Sequence, residues 1–206
     1  MFDDRFGLTW AVLDGRKTVT RRVIPAKAIE YILGEFKQEY FEATLDVFDN
    51  DKKYIEQYYL VEKCGKCFRP GDIVAVAQKY KDMMPYLALS FRQPSPDYMM
   101  DKPGYNNKMF VSADLIPLQI RITSIHVERI QEISDEDCLR EGVYLDETAP
   151  SCYQPFYTFP GSIDRDTQVG YKTPREAFAD LIQKMSGKRA WDDNPWVFVY
   201  EFELVK

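Results

Sequence analysis

The sequence predicts an α+β protein: a small mixed β-barrel flanked by short helices and interrupted by long inserted loops. Strand-like β-branched runs outnumber helical patterns, the helical patterns are short, and the two kinds do not alternate regularly. A doubly wound parallel sheet needs regular alternation, whereas this order suits a barrel with helices packed beside it. The 206 residues suit one domain with insertions, and a hydrophobic content of 45% is enough to fill a core.

Phe6, Trp10 and Leu13 recur at spacings of four and three, which is one face of a short helix. Gly15 follows where a left-handed residue closes a helix. The basic segment Arg16 to Arg22 comes next, and Pro25 ends it. Residues 26–63 mix Tyr, Phe and acids, with a helical pattern over Ala28 to Phe36. They are too few to bury a core of their own and read as an insertion.

Arg69-Pro70-Gly71-Asp72 is a turn signal. It leads into Ile73 to Ala77, a β-branched run suited to a buried strand. Residues 81–108, with several prolines and Asn106-Asn107, read as a second insertion in the form of a long loop. Met109-Phe110-Val111 predicts a short strand. Leu118 to Val127, alternating around Ile120, Ile122 and Ile125, predicts a longer one.

Ser134 followed three residues later by Asp137 marks a helix start; the helix reaches Glu141 and Gly142 stops it. Residues 144–172 read as a third insertion, again a long loop. Thr173-Pro174-Arg175-Glu176 is a capped start with proline at the first helical position. Ala177, Phe178, Leu181, Ile182 and Met185 then share a face. Trp196 to Val205 is the closing strand.

The net charge of -6 and pI near 5.0 argue against a general DNA-binding protein, which needs many cations to displace counterions. A local basic cleft stays compatible with that balance. No apolar run reaches the roughly 18–20 residues of a membrane span, and the acidic start has no signal-peptide pattern. The expectation is a cytoplasmic protein without a membrane partner. The cysteines are Cys64, Cys67, Cys138 and Cys152, and His126 is the one histidine. Cys64 and Cys67 lack a second pair or histidines at matching spacing, so reduced cysteines in a tight turn are expected rather than a metal site.

Gly15-Arg16-Lys17-Thr18-Val19-Thr20-Arg21-Arg22 holds four cations and two Thr hydroxyls in eight residues. Lys17 is a base if burial depresses its pKa. Thr20 is a nucleophile if a base sits beside it. Arg22 is a planar fork for a phosphate or carboxylate. A solvated basic turn accounts for the same composition. In an extended run Thr18, Thr20 and Arg22 share one face and Lys17, Val19 and Arg21 the other, so Lys17 and Thr20 need a turn to converge. Glu141 sits at a helix C-terminus, against the dipole: a plain surface acid, or one placed there for a purpose. Trp10, Trp191 and Trp196 could stack on a base or could simply fill the core.

The segment Gly15-x-Lys17-x-x-Thr20-x-Arg22 after a short helix resembles the signature of the ASCH family, whose members have a PUA-like β-barrel. Pro70 to Val76, Arg121 to Ile125, Arg140-Glu141-Gly142-Val143 and Asn194 to Val199 are similar to later family elements, in order, and to the longer, phage-associated members. Gln78 departs from the glutamate that many longer members carry at that strand end. The resemblance implies either an RNA-binding module or an amidohydrolase of the kind that removes the acetyl group from N(4)-acetylcytidine. For the enzyme it implies Thr20 as nucleophile, Lys17 as base and Glu141 as their partner, with no metal and no cofactor. Arg21, Arg22, Trp10 and Trp196 would then hold the nucleoside or RNA in a small cleft.

Overall fold

A computed structural model describes residues 2–25, 67–87, 99–147, 155–161 and 170–205. Its elements are α1 (Leu8–Leu13), β1 (Val19–Val23), β2 (Ile73–Ala75), α2 (Tyr80–Leu87), β3 (Gln119–Arg129), α3 (Asp135–Arg140), β4 (Tyr144–Asp146), β5 (Phe156–Thr158), α4 (Pro174–Ser186) and β6 (Trp196–Val205). The main sheet has the order β1-β6-β3-β2, with every pairing antiparallel, and it curls into a half-barrel. The α+β class follows. β4 and β5 pair in a separate two-stranded sheet.

β6 explains the sheet's central position. Its run Trp196 to Tyr200 is apolar without alternation, as expected of a strand buried on both faces. Val197 and Val199 pack with Val19, Val143, Phe178 and Leu181 beneath α3 and α4. Phe198, Tyr200 and Phe202 pack with Val12, Ile120, Ile122 and Ile125 on the other face. The spacing from Ile122 to Ile125 is odd, yet both reach the same cluster. A register shift between Ile122 and Ser124 inserts one residue and restores the facing.

Both helix-start signals form as expected. Ser134 accepts from the Asp137 backbone N–H at 3.1 Å. Thr173 and Glu176 form a reciprocal capping box over the start of α4. The Arg69–Asp72 turn also forms, with Gly71 at φ +95° and Asp72 Oδ2 accepting from the Arg69 N–H at 2.7 Å.

Several expectations need correction. Phe6, Trp10 and Leu13 do not share a buried face. Gly7 takes a left-handed conformation (φ +60°) that separates a 3-10 turn at Asp4–Phe6 from α1. The buried face of α1 is Leu8, Ala11 and Val12, leaving Trp10 on the exposed side. Ile73 to Ala77 is not a buried strand: β2 stops at Ala75 and pairs with β3 alone, and Ile73 is exposed.

Residues 81–108 are not simply a loop, because α2 runs from Tyr80 to Leu87. Its Tyr80 and Met83 pack on Met99 and Ile116. Met109-Phe110-Val111 is not a strand. Asn107 Oδ1 accepts from the Met109 N–H, turning the chain into a 3-10 turn over Lys108–Phe110 with Met109 and Phe110 exposed. Residues 144–172 contain β4 and β5 and, at Tyr171, a bridge to Tyr157. The helical pattern at Ala28 to Phe36, Cys64 and Cys152 lie outside the described residues.

Candidate active site

The basic segment is drawn inward by its two ends. Gly15 at φ +75° closes α1, and the Lys17 N–H bonds the Ala11 carbonyl at 2.8 Å. The Thr18 N–H then bonds the Arg140 carbonyl at 3.0 Å, tying the segment to the end of α3. Lys17 is thereby buried at 2% exposure. Its ammonium donates to the carbonyls of Val19 and Glu141, each at 2.8 Å, and to Glu141 Oε2. Burial pushes the Lys17 pKa down, and this outweighs the opposing pull of Glu141.

Glu141 caps the C-terminus of α3, where a carboxylate opposes the helix dipole. Two cations offset that cost: Lys17 holds Oε2, and Arg21 Nη1 holds Oε1 at 3.2 Å. Gly142 turns the chain away at φ +110°, which lets Leu8 pack closely behind the pair: a Cβ at Gly142 would lie 3.1 Å from a Leu8 methyl.

β1 alternates as its sequence implies. Val19 and Arg21 face inward; Thr20 is half-buried and Arg22 is exposed. Arg21 meets carboxylates rather than open cleft. Its Nε donates to Glu128 Oε1 at 2.7 Å and its Nη2 to Asp137 Oδ2 at 2.9 Å, besides the bond to Glu141. Burial would lower the Arg21 pKa, but the carboxylates of Glu141 and Glu128 outweigh it and raise it. Arg140 completes the edge of this network, bonding Asp137, Thr18 and Glu201.

Lys17, Thr20, Arg21, Arg22 and Glu141 line a crevice at the β1 edge together with Phe2, Leu8, Phe178 and Ile182. Thr20 and Lys17 therefore converge across the bend between Lys17 and β1, although they sit on opposite faces of an ideal extended run. Among the described residues no hydrogen bond engages the Thr20 hydroxyl, whereas the Thr18 hydroxyl accepts from Arg140. The free volume is about 20 Å³, room for a water-sized group or two.

No protein-family model, curated protein or solved structure matches this chain.

Of the expected site residues, Lys17, Thr20, Arg21, Arg22 and Glu141 come together and the tryptophans do not. Trp10 stands on the outer face of α1 at 55% exposure. Trp196 lies at the far end of the β3–β6 ladder, with the Arg129 guanidinium 4.1 Å from its ring centre. Gln78 is buried away from the crevice, its amide donating to the Val76 carbonyl at 3.3 Å. Among the described residues no group of His, Cys, Asp and Glu is placed to hold a metal ion. The Cys138 thiol, pushed up to about 12 by burial, stays protonated.

Glu128 is a member of the network that the sequence pattern did not single out, and Asp137 one that it marked only as a helix-start residue. The alternation of β1 carried the signal: it turns Arg21 inward with Val19, and a buried guanidinium needs carboxylates. Burial pushes the Glu128 carboxyl up, but hydrogen bonds from His126 and Arg21 and the Arg21 charge outweigh it and hold it below its ordinary 4.5. A lowered carboxylate pKa stabilises the fold fully above the unfolded value; that contribution is lost as pH falls through the folded value. The acid limb of stability below pH 4.5 is therefore expected to flatten in Glu128→Gln, measured by urea unfolding at stepped pH. An unchanged limb would remove Glu128 from the account of acid sensitivity.

Proposed function

We propose that this chain is an ASCH-type protein whose curled sheet belongs to a PUA-like barrel, and that it is a metal-independent amidohydrolase. Its substrate class is an acylated nucleoside of the N(4)-acetylcytidine type, or a related small amide. The observation that carries this reading is the convergence of Lys17, Glu141 and Thr20 on one crevice, with the Thr20 hydroxyl unengaged and Lys17 desolvated. In this reading Thr20 Oγ1 attacks the acyl carbonyl and the neutral fraction of Lys17 takes its proton. Glu141 Oε2, in contact with Lys17 Nζ, relays that proton to the departing exocyclic amine. Water then hydrolyses the acyl-threonine. The crevice has room for only a water-sized group or two, so in this reading the nucleoside lies outside it, along the rim that carries Arg22.

The test is release of cytidine and acetate from N(4)-acetylcytidine by the wild-type protein, followed by the change in base absorbance. Turnover above buffer is expected; its absence at high enzyme concentration would sink the reading.

One observation favours a second reading. All three N–H donors of the Lys17 ammonium are taken, by two carbonyls and a carboxylate, which is also how a purely structural strut is built. The same face would then bind RNA or a modified nucleotide without catalysis, through exposed groups such as Arg22. Affinity would fall with salt and on Arg22→Ala. No binding at low salt would dispose of it.

A further inference from the structure

Arg21 lies outside the Lys17-Thr20-Arg22 signature, and its guanidinium is the hub of the buried charge network. Its three nitrogens each meet a different carboxylate, from three places in the chain: Glu128 at the end of β3, Asp137 in α3 and Glu141 at the α3 cap. Its side chain is 1% exposed, too enclosed to reach a substrate. The two oxygens of Glu141 are divided between partners, Oε1 to Arg21 and Oε2 to Lys17.

We infer that Arg21 is a positioning residue: anchored by Glu128 and Asp137, it grips Glu141 Oε1 and leaves a single carboxylate oxygen to face Lys17. This rests on the amidohydrolase reading for its functional meaning, but its physical content does not. A carboxylate shared with a guanidinium is a weaker proton holder for the neighbouring amine than one left to it alone. Arg21 therefore keeps Lys17 closer to the neutral form that a base requires, and its charge acts in the same direction as burial.

The other charged and titratable groups around the cluster are known. His126 Nε2 lies 3.4 Å from Glu128 Oε2, and Arg140 holds Asp137 Oδ1 at 3.0 Å. Arg22 acts on Lys17 through its charge, and Cys138 stands within the field of Asp135, Arg21 and Glu141. His126 is replaced by Asn throughout, as the common background of the measurements.

The experiment follows the Lys17 side-chain 13Cε signal by NMR against pH, together with the pH profile of kcat for N(4)-acetylcytidine. Arg21→Met is added to a Glu128→Gln, Asp137→Asn background, which limits the burden on folding and supplies the reference titration, so that the loss of the two carboxylates is common to both. Arg21→Lys keeps the charge but cannot span three carboxylates. In the triple variant Lys17 is expected to titrate higher than in that background, and the rising limb of kcat should move with it while KM holds. Arg21→Lys should fall between. A Lys17 titration that stays in place in both variants overturns the inference, as does a downward move. If no hydrolysis occurs with wild type, the amidohydrolase reading fails, while the NMR titration still decides whether Arg21 sets the state of the Lys17–Glu141 pair.

Discussion

Glu141→Gln is expected to lower stability by about 3–5 kcal/mol, the cost of removing one partner from a buried ion pair. The carboxylate is 6% exposed and the Lys17 side chain 2%, so solvent offers little compensation. Arg21 retains Glu128 and Asp137 in the variant, which places the deficit on Lys17. The pH dependence separates this from a simple packing loss. Lys17 is lowered in the folded state from its ordinary 10.5, so the unfolded chain binds the extra proton between those two values. Stability contributed by this group therefore rises with pH across that interval. The amide cannot pull the Lys17 pKa up as the carboxylate does, so the interval is wider in Glu141→Gln. Its deficit should shrink as pH rises and Lys17 becomes neutral. Replacing both partners, as Lys17→Met with Glu141→Leu, should recover much of the loss, since well-packed apolar pairs often match buried ion pairs. Urea unfolding from pH 6 upward measures all three; a deficit below about 1 kcal/mol, or one that grows with pH, would contradict the account.

Thr20→Ala is expected to abolish amide hydrolysis, by about 10⁴–10⁶-fold in kcat, as for loss of a catalytic nucleophile. The same change should cost little stability, within about 1 kcal/mol for a half-buried strand position, because the hydroxyl holds no hydrogen bond among the described residues. Thr20→Ser should retain most of the activity, since it keeps the attacking oxygen. That separation of activity from stability is what a nucleophile predicts and a structural hydroxyl does not. Thr18→Ala is the internal control: its hydroxyl accepts from Arg140, so its loss should appear in stability first. Hydrolysis by Thr20→Ala at the wild-type rate would exclude Thr20 as nucleophile.

Much of the secondary structure was legible locally. The Ser134 cap, the Thr173–Glu176 capping box and the Gly71 turn are set by residues within four positions of each other. Local rules reach them because their hydrogen bonds close locally. The α1 face failed on one residue: Gly7 is left-handed, and the periodicity of Phe6, Trp10 and Leu13 runs across a break. Residues 109–111 failed because one Asn107 hydrogen bond outweighs a β-branched, aromatic composition. α2 was hidden by the prolines and turn residues of the stretch around it, since its stability comes from Met99 and Ile116, distant in sequence.

The sequence by itself determined the basic segment after α1, the acid at the end of α3 and the apolar closing strand. These were enough for an α+β fold; Lys17, Thr20 and Glu141 were named together only through the resemblance of the basic segment to a family signature. The tertiary structure alone decided what each cation meets. The Lys17–Glu141 pair joins residues 124 apart, and Arg21 reaches carboxylates 107, 116 and 120 positions away. No periodicity encodes such partners, because they exist only once β1 lies beside β6 and the end of α3 closes over it. Burial then turns four ordinary cations into different things: Lys17 a depressed amine, Arg21 a locked hub, Arg16 and Arg22 exposed charges.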